Sequence, residues 1–419
     1  MVRGQSHHVT IFVAAVCIAG MGCGARNSVS PSSEAAQPQV AVVPADVTTA
    51  ALVAPLREST EANAVQLGRA AAEGNAVTRE IDWVSRNQAV ASGEVHAGQY
   101  VVAYLITPAD DYYDMEAAQS DLPAHHTTVL PGSAHVGVVV RDAADGRLVP
   151  GLNVSVTLRA DRGTGTGGTR SASLPYGWHP VLNRYGENVV LPSNSFALSV
   201  RISMPRYARH DSVNGKRFGE DVVASFAHVS VPPESLAVAS ERLARGDAGG
   251  GAVLARTEGS ASDRSLTELL RSAGVSGSQA RSGDYRVTVL VQRPRGLWQV
   301  RGGGLRYMDP DSSAGPAAHI DVVVQEAASG RFVQDLQLRA TILDSRRRET
   351  GSYTLPMMWH PWMNHYGLTV PVPASGRYSI RVRAAAPAFR RYGSGAAKQF
   401  NRALDVTVHG VRLQPLLDD

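Results

Sequence analysis

The chain has 419 residues, a formal net charge of +4 and two cysteines, a length that accommodates two or three domains. Lys216 and Lys398 are the only lysines, and the arginines are scattered among acids with no basic run beyond Arg346–Arg348. That pattern describes a solvated surface, and no nucleic-acid partner is expected. Cys17 and Cys23 both lie near the N-terminus, which excludes disulfides, thiolate metal sites and thiol nucleophiles from the rest of the chain.

Residues 1–23 read as an export leader. Arg3, His7 and His8 precede an apolar run, Val9–Ala19, that is too short for a membrane span. Gly20-Met21-Gly22-Cys23 follows, and a small residue before Cys resembles a bacterial lipoprotein processing site, with Gly20 where Leu is usual. On this reading Cys23 carries membrane lipid, and the protein is exported to the periplasm or cell surface. Residues 24–51, rich in Ser, Pro, Ala and Gln, form a flexible tether. Residues 52–92 are Ala-rich and predict one or two loose helices, interrupted by Gly68 and Gly74.

Beyond residue 93 short apolar runs alternate with Gly, Pro and Asp. Gln99–Thr107, His135–Val140, Leu152–Leu158 and Phe196–Ile202 read as strands, and the last two alternate with period two. This spacing predicts an antiparallel β-sandwich over 93–233. Residues 234–282 form a linker with short helices at Pro233–Ala244 and Leu266–Ala273, on either side of the Gly-rich run Gly246–Gly251. The strand pattern then restarts. Gly283–Val291, His319–Val324, Leu336–Ile342 and Tyr378–Ala384 match the four earlier strands in order, which predicts a second sandwich over 283–412. The fold class is all-β: two tandem antiparallel β-sandwich repeats, with a short helical N-terminal segment and a partly helical linker.

Leu174–Val189 and Leu355–Val370 share the pattern Leu-Pro-x-x-Trp-His-Pro-x-x-Asn-[Arg/His]-Tyr-Gly. Trp-His-Pro occurs in both copies, so His179 and His360 are read as structural, and Met357 and Met363 as packing residues. The distinctive chemistry lies in the second copy, where Met358 and His365 are assigned to a loop between strands. His319 and Asp321 share one face of a strand, opposite Ile320, Val322 and Val324. A thioether suits Cu(I), and imidazole binds copper, zinc and iron. The remaining polar features read as solvated segments: His125-His126, the hairpin loop Gly163–Gly168 and the acidic turn Asp110–Asp114.

Three short motifs stand out: His319-Ile320-Asp321, Met358 with His365-Tyr366-Gly367, and Arg209-His210-Asp211. Together they resemble the periplasmic iron-transport accessory proteins, small copper- and iron-binding Ig-like proteins found beside bacterial iron permeases. The resemblance implies Ig-like sandwiches, a copper or iron ion, a membrane permease as partner, and a site built from the His of the first motif, the Met and His of the second and the His of the third. The second repeat carries His319, Asp321, Met358 and His365 but has Tyr392 in the place of the last His. The first repeat carries His135 and His210 but has Gly137, Gly177 and Arg184 at the other positions. Two arrangements follow. The expected one has the second repeat binding metal by itself, completed by water, Tyr392 or His360. In the other, the two repeats pair like the subunits of a family dimer and His210 approaches the second repeat's site. No nucleophile–base pattern, Gly-x-Ser-x-Gly elbow or His-Glu-x-x-His helix is present, and no enzymatic activity is expected. The function expected is metal uptake or buffering by an extracytoplasmic lipoprotein; the alternative is a β-sandwich surface module that binds a protein or a glycan.

Overall fold

The structure is a computed structural model that describes residues 53–114, 124–126, 130, 132–161, 168–244, 249–271, 275–310, 315–372, 374–393 and 398–414. The leader, Cys23, the tether and the 163–167 loop lie outside the described residues, as do the side chains of His125 and His126.

Helix α1 (Ala64–Asn87) leads into β1 (Ala91–Ala97), β2 (Tyr100–Pro108), β3 (Tyr112–Asp114), β4 (Ala124–His126), β5 (Ser133–Asp142) and β6 (Val154–Ala160). The first half continues with β7 (Thr169–Leu174), β8 (Tyr176–Trp178), β9 (Arg184–Val190), β10 (Ser195–Ile202), β11 (Ala208–Arg209) and β12 (Val222–Ser230). Helices α2 (Pro233–Ala244) and α3 (Gly249–Arg271) follow. The second half begins with β13 (Ser276–Ser282), β14 (Tyr285–Gln292), β15 (Leu297–Arg301), β16 (Gly304–Met308), β17 (Ala317–Glu326) and β18 (Leu338–Leu343). It ends with β19 (Glu349–Leu355), β20 (Met357–Trp359), β21 (His365–Pro371), β22 (Gly376–Ala384), β23 (Arg390–Tyr392) and β24 (Leu404–Leu413).

The fold is mainly β, with two eight-stranded and two four-stranded sheets. The first half has the orders β1-β2-β5-β9-β8-β23-β3-β4 and β12-β10-β6-β7. The second half has β13-β14-β17-β21-β20-β11-β15-β16 and β19-β18-β22-β24. The two large sheets correspond strand for strand, and each contains one strand from the other half. Arg390 and Arg391 of β23 run parallel to Gly177 and Trp178 of β8, while Ala208 and Arg209 of β11 run parallel to Met358 and Trp359 of β20. Each borrowed strand also pairs antiparallel with the hairpin beyond it, β3 or β15. The exchange covers the edge that a short terminal strand would otherwise leave open.

The large sheets are buried on both faces, and this explains their unbroken apolar runs. In the first half Val102, Tyr104, Ile106, Val136 and Val138 face the small sheet and meet Val156, Leu158, Phe196 and Leu198. Ala103, Leu105 and Val139 face the other way, onto Val77, Ile81 and Val84 of α1. In the second half Leu290 and Val323 pack with Leu266 of α3, Ala62, Ala70 and Trp362.

The sequence predicts helices interrupted at Gly68 and Gly74 and a short helix at Leu266–Ala273, whereas α1 runs unbroken through Gly68 and Gly74 and α3 through Gly259. The reason is packing against a turn. A Cβ on Gly74 would fall on the Asp145 carbonyl oxygen, and one on Gly259 would fall on the Ser329 carbonyl. Glycine there costs helix propensity but permits contact with the Asp145-Gly146 and Ser329-Gly330 turns. Helix α3 also begins inside the Gly-rich run, where Gly251 lies against Val181, so the helix expected at Leu266–Ala273 is part of a longer one that runs to Arg271, and 272 and 273 lie outside the described residues. The helix expected at Pro233–Ala244 is present as α2.

The halves are also tied by reciprocal arginines. Arg147 donates to the carbonyls of His360 (3.1 Å) and Pro361 (2.9 Å). Arg331 donates to those of His179 (3.0 Å) and Val181 (3.4 Å). The Gly-Arg and Trp-His-Pro motifs that recur in both halves are therefore two sides of one cross-connection.

Two expectations follow for stability. Gly74→Ala should destabilise by about 2 kcal/mol or more through overpacking, whereas Gly68→Ala, with nothing within 4 Å of the new methyl, should stabilise by about 1 kcal/mol; urea unfolding of the two variants separates the effects. The second concerns Glu80 and Glu258, buried where α1 meets α3. Burial, and then repulsion from Glu258, push the Glu80 carboxyl up; burial pushes Glu258 up against the pull of Arg331. A carboxyl whose folded pKa is raised adds stability below its unfolded pKa and loses it as pH rises through the folded one. The urea midpoint should therefore fall between pH 5 and pH 8, and Glu258→Gln should flatten that slope and exceed the native protein at pH 8 by at least about 1 kcal/mol.

Candidate metal centre

The centre is assembled on the helix-facing side of the second large sheet. His319 and Asp321 alternate with core residues along β17, and β21 lies alongside, pairing Thr369 with His319 and Gly367 with Asp321. His365 opens β21 on the same face, two residues before Gly367. Glycine at 367 is required by the crowding: a Cβ there would lie 2.9 Å from His319 Nε2 and 3.1 Å from His365 Nε2. The imidazoles close over bare backbone, which gives the His-Tyr-Gly sequence a physical meaning.

The fourth residue comes from the other half. Strand β11 delivers His210 beside β20, and the His210 backbone N–H donates to the Trp359 carbonyl at 2.9 Å. His210, His319, Asp321 and His365 each offer a ligand atom, and these atoms lie within 4.8 Å of one another. The expectation that the second repeat forms the site by itself is therefore corrected to the shared arrangement. Tyr392 is not at this centre; it lies on β23 in the first half's sheet. Met358 is also placed differently from the expectation: it lies in β20 rather than a loop, buried, and paired in register with His365. Cross-strand partners share a face, so its thioether side chain and the His365 imidazole project to the same side.

Three features fit this cluster to a cation. Asp321 Oδ1 lies 3.1 Å from His319 Nε2 and 3.0 Å from His365 Nε2, close to the spacing of neighbouring ligands on arms of about 2.1 Å. His210 Nε2, His319 Nε2, Asp321 Oδ1 and both His365 ring nitrogens are nevertheless buried without a hydrogen-bond partner, an arrangement that costs free energy unless something satisfies it. Finally, the outer shell is built. His319 Nδ1 stands 2.9 Å from Thr369 Oγ1, and Gln292 Nε2 donates to Asp321 Oδ2 at 2.6 Å. Burial would raise the Asp321 carboxyl, but His365 and His319 hold it well below the usual carboxylate range. Burial pushes the His210 imidazole down to about 3, against the pull of Glu61, leaving a neutral ring with a lone pair.

The corresponding place in the first half has the opposite character. His135 is there, with Gly137 for the acid, Gly177 for the Met and Arg184 for the second His. The Tyr392 ring, 4.8 Å from the His135 ring, fills the space that a side chain at Gly177 would need. Arg184 Nε approaches His135 Nε2 at 3.5 Å. Burial first, and then the Arg184 charge, hold the His135 imidazole well below its usual range. A built-in guanidinium stands where the other half gathers ligands, and among the described residues His135 joins no such cluster.

The two Trp-His-Pro histidines differ as well. His179 Nδ1 accepts the backbone N–H of Val181 (3.1 Å) and Leu182 (3.4 Å), the structural role expected. His360 instead stands 5.2 Å from the His210 ring and 6.1 Å from that of His365, centroid to centroid, and joins a second group with Glu61 and His210. Glu61 was not legible as a site residue, because it lies in a polar stretch with no counterpart motif.

The His210 loop is shaped by a buried arginine. Arg209 donates from Nε to the Arg217 carbonyl at 3.0 Å, from one terminal nitrogen to those of Pro205 (2.8 Å) and Phe218 (3.2 Å), and from the other to Tyr207. Arg391 does the same in the second half with Pro387, Phe389, Gln399 and Phe400.

The fold and this cluster define a mainly β protein with a buried His/Asp group able to hold a metal ion. Among solved structures, FetP of uropathogenic E. coli strain F11, as isolated after expression in the periplasm, is similar at 12% identity with a TM-score of 0.25, over 34% of this chain and 100% of that chain. A copper-bound variant of the same FetP gives 12% identity and a TM-score of 0.25, over 34% of this chain and 97% of that chain. No protein-family model matches the chain, and no curated protein matches it.

Arg209→Ala should cost about 3 kcal/mol by stranding buried carbonyls, lowering the thermal unfolding midpoint. It should also displace His210, so that any metal-induced stabilisation shrinks in the same melts.

Proposed function

We propose that this protein is an exported metal-binding protein, without enzymatic activity, that holds a single copper or iron ion per chain and acts in uptake or buffering beside a membrane permease. The observation that carries the reading is the set of buried, unpartnered ligand atoms on His210, His319, Asp321 and His365. His210, His319 and His365 supply imidazole nitrogens, Asp321 a carboxylate oxygen, and Met358 a thioether. A mixed sulfur and nitrogen set of this kind favours copper, and the carboxylate extends its range to iron. The first half contributes one ligand and the loop that carries it, and binds no ion of its own because Arg184 and Tyr392 fill its site. Lipid attachment at Cys23 is part of the same reading and places the centre at the outer face of a membrane.

Purified protein freed of metal should take up one equivalent of copper, measured by metal analysis after gel filtration. Its thermal midpoint should rise, because a ligand that binds only the folded state stabilises it. His365→Ala and His210→Ala should each abolish the rise, and His135→Ala should leave it intact. Uptake that is unaffected by His210→Ala would restore the self-contained second-half site. Absence of any shift with copper, iron, manganese or zinc would remove the metal reading altogether.

A further inference from the structure

The segment before α1 crosses the cluster and is pinned to the same loop that carries His210. Arg57 N–H donates to Asn214 Oδ1 at 2.9 Å, and Asn214 Nδ2 donates back to the Arg57 carbonyl at 2.8 Å. Ser59 Oγ donates to Asp211 Oδ2 at 2.6 Å and accepts the N–H groups of Glu61 (3.1 Å) and Ala62 (3.0 Å). Trp362 Nε1 donates to the Glu61 carbonyl at 3.0 Å. The Asn63–Gln66 capping box then starts α1. The backbone around Glu61 is thus held on both sides, and its carboxylate is aimed inward with a side chain only 6% exposed.

That carboxylate meets two imidazoles. Glu61 Oε2 lies 3.1 Å from His210 Nδ1 and 3.7 Å from His360 Nε2. An ionised carboxylate only accepts hydrogen bonds, so the His210 proton resides on Nδ1. In the neutral ring Nε2 is then bare, and Nε2 is the buried atom that lacks a partner. His360 supports the same reading. Its Nδ1 has given up the backbone contacts that His179 keeps and is also buried without a partner, while its ring turns Nε2 to Glu61.

We propose that Glu61 is the positioning carboxylate of the metal centre: it fixes the His210 tautomer and ring orientation so that Nε2 is presented to the ion. The inference rests on the metal-binding reading above and deepens it. The centre then depends on three separate stretches of chain, namely the second half's sheet, the first half's loop and a strap that belongs to neither sandwich. Metal ligands generally donate their second ring N–H to such a group, and losing it typically weakens metal affinity by about 10–100-fold.

The test uses Cu(II) as the probe on the purified chain, with affinity measured against a competing chelator and coordination followed by electron paramagnetic resonance. Glu61→Gln keeps size and fold, so apo thermal unfolding should match the native protein, while Cu(II) affinity falls by about 10–100-fold and the copper hyperfine pattern changes. Asn214→Ala loosens the strap but keeps the carboxylate, and should lower Cu(II) affinity by less than Glu61→Gln while the bound form keeps the native Cu(II) spectrum. A Glu61→Gln protein with native affinity and spectrum would overturn the proposal, as would an equal affinity loss in Asn214→Ala, which would assign the effect to closure by the strap. Two coppers in the native protein and one in Glu61→Gln would also overturn it, by making Glu61 a direct ligand. If the native chain itself binds no copper, the metal reading fails first, and that result is distinct from all of these.

Discussion

The exchange of β11 and β23 is the constraint on which the rest of the molecule depends. Each large sheet consists of five strands of its own half, one strand from the other half, and a two-stranded hairpin reached only through that visitor. Removing β11 would leave β20 as an open edge and detach β15–β16 from its sheet. The halves therefore cannot be pictured as two sandwiches that happen to touch. Their buried residues form one continuous core that includes both small sheets, and Arg147 and Arg331 stitch the same boundary from each side. Position control at the centre follows from this interlock. A ligand carried across a boundary is useful only if its loop is rigid, and four backbone carbonyls around the Arg209 guanidinium provide that rigidity.

The same scaffold ends in opposite electrostatics at its two equivalent places. In the first half the positive charge is covalent: Arg184 lies beside a neutral His135, and Tyr392 occupies the remaining volume. Around the second half's group two carboxylates, Asp321 on β17 and Glu61 on the segment before α1, are held ionised among imidazoles, and the positive charge must be brought in. A cation can supply it. Buried negative charge without a fixed cation is costly, so this half's group suits a cation, whereas the other half carries a fixed guanidinium at the equivalent place.

Much of this was legible in the residues and some of it could not be. Period-two alternation located β6 and β10, the recurring pattern located β18 and β22, and parity set His319 and Asp321 on one strand face, because side chains alternate along a strand. It did not show that this face is buried: what covers it is α3, the segment before α1 and the His210 loop, all from distant sequence. Gly68 and Gly74 read as helix interruptions because propensity is a local property, whereas the contacts of Gly74 and Gly259 with the 145–146 and 329–330 turns are tertiary. Strand β11 has two residues and no periodicity to detect, so nothing local could assign His210 to the other half. One signal did point there. The first half lacks all of the centre except His135 and the last His, and the second half lacks only the last His. Complementary losses of that kind are what a shared site leaves behind. Glu61 gave no such signal, as a positioning residue is recognisable only once the group it positions has been placed.

Because both halves lie on one chain, the two equivalent places need not be alike. In a symmetric pair of identical chains, any change in the crossing loop would alter both sites at once, since each copy both receives a loop and donates one. Here the two loops are encoded separately. His210 stands on the first loop, while Tyr392 on the second fills the space that a side chain at Gly177 would need. Arg184 puts a fixed positive charge beside His135, whereas Arg209 holds the first half's loop so that His210 reaches across to His319, Asp321 and His365. The asymmetry therefore lies in which loop carries an imidazole across the boundary.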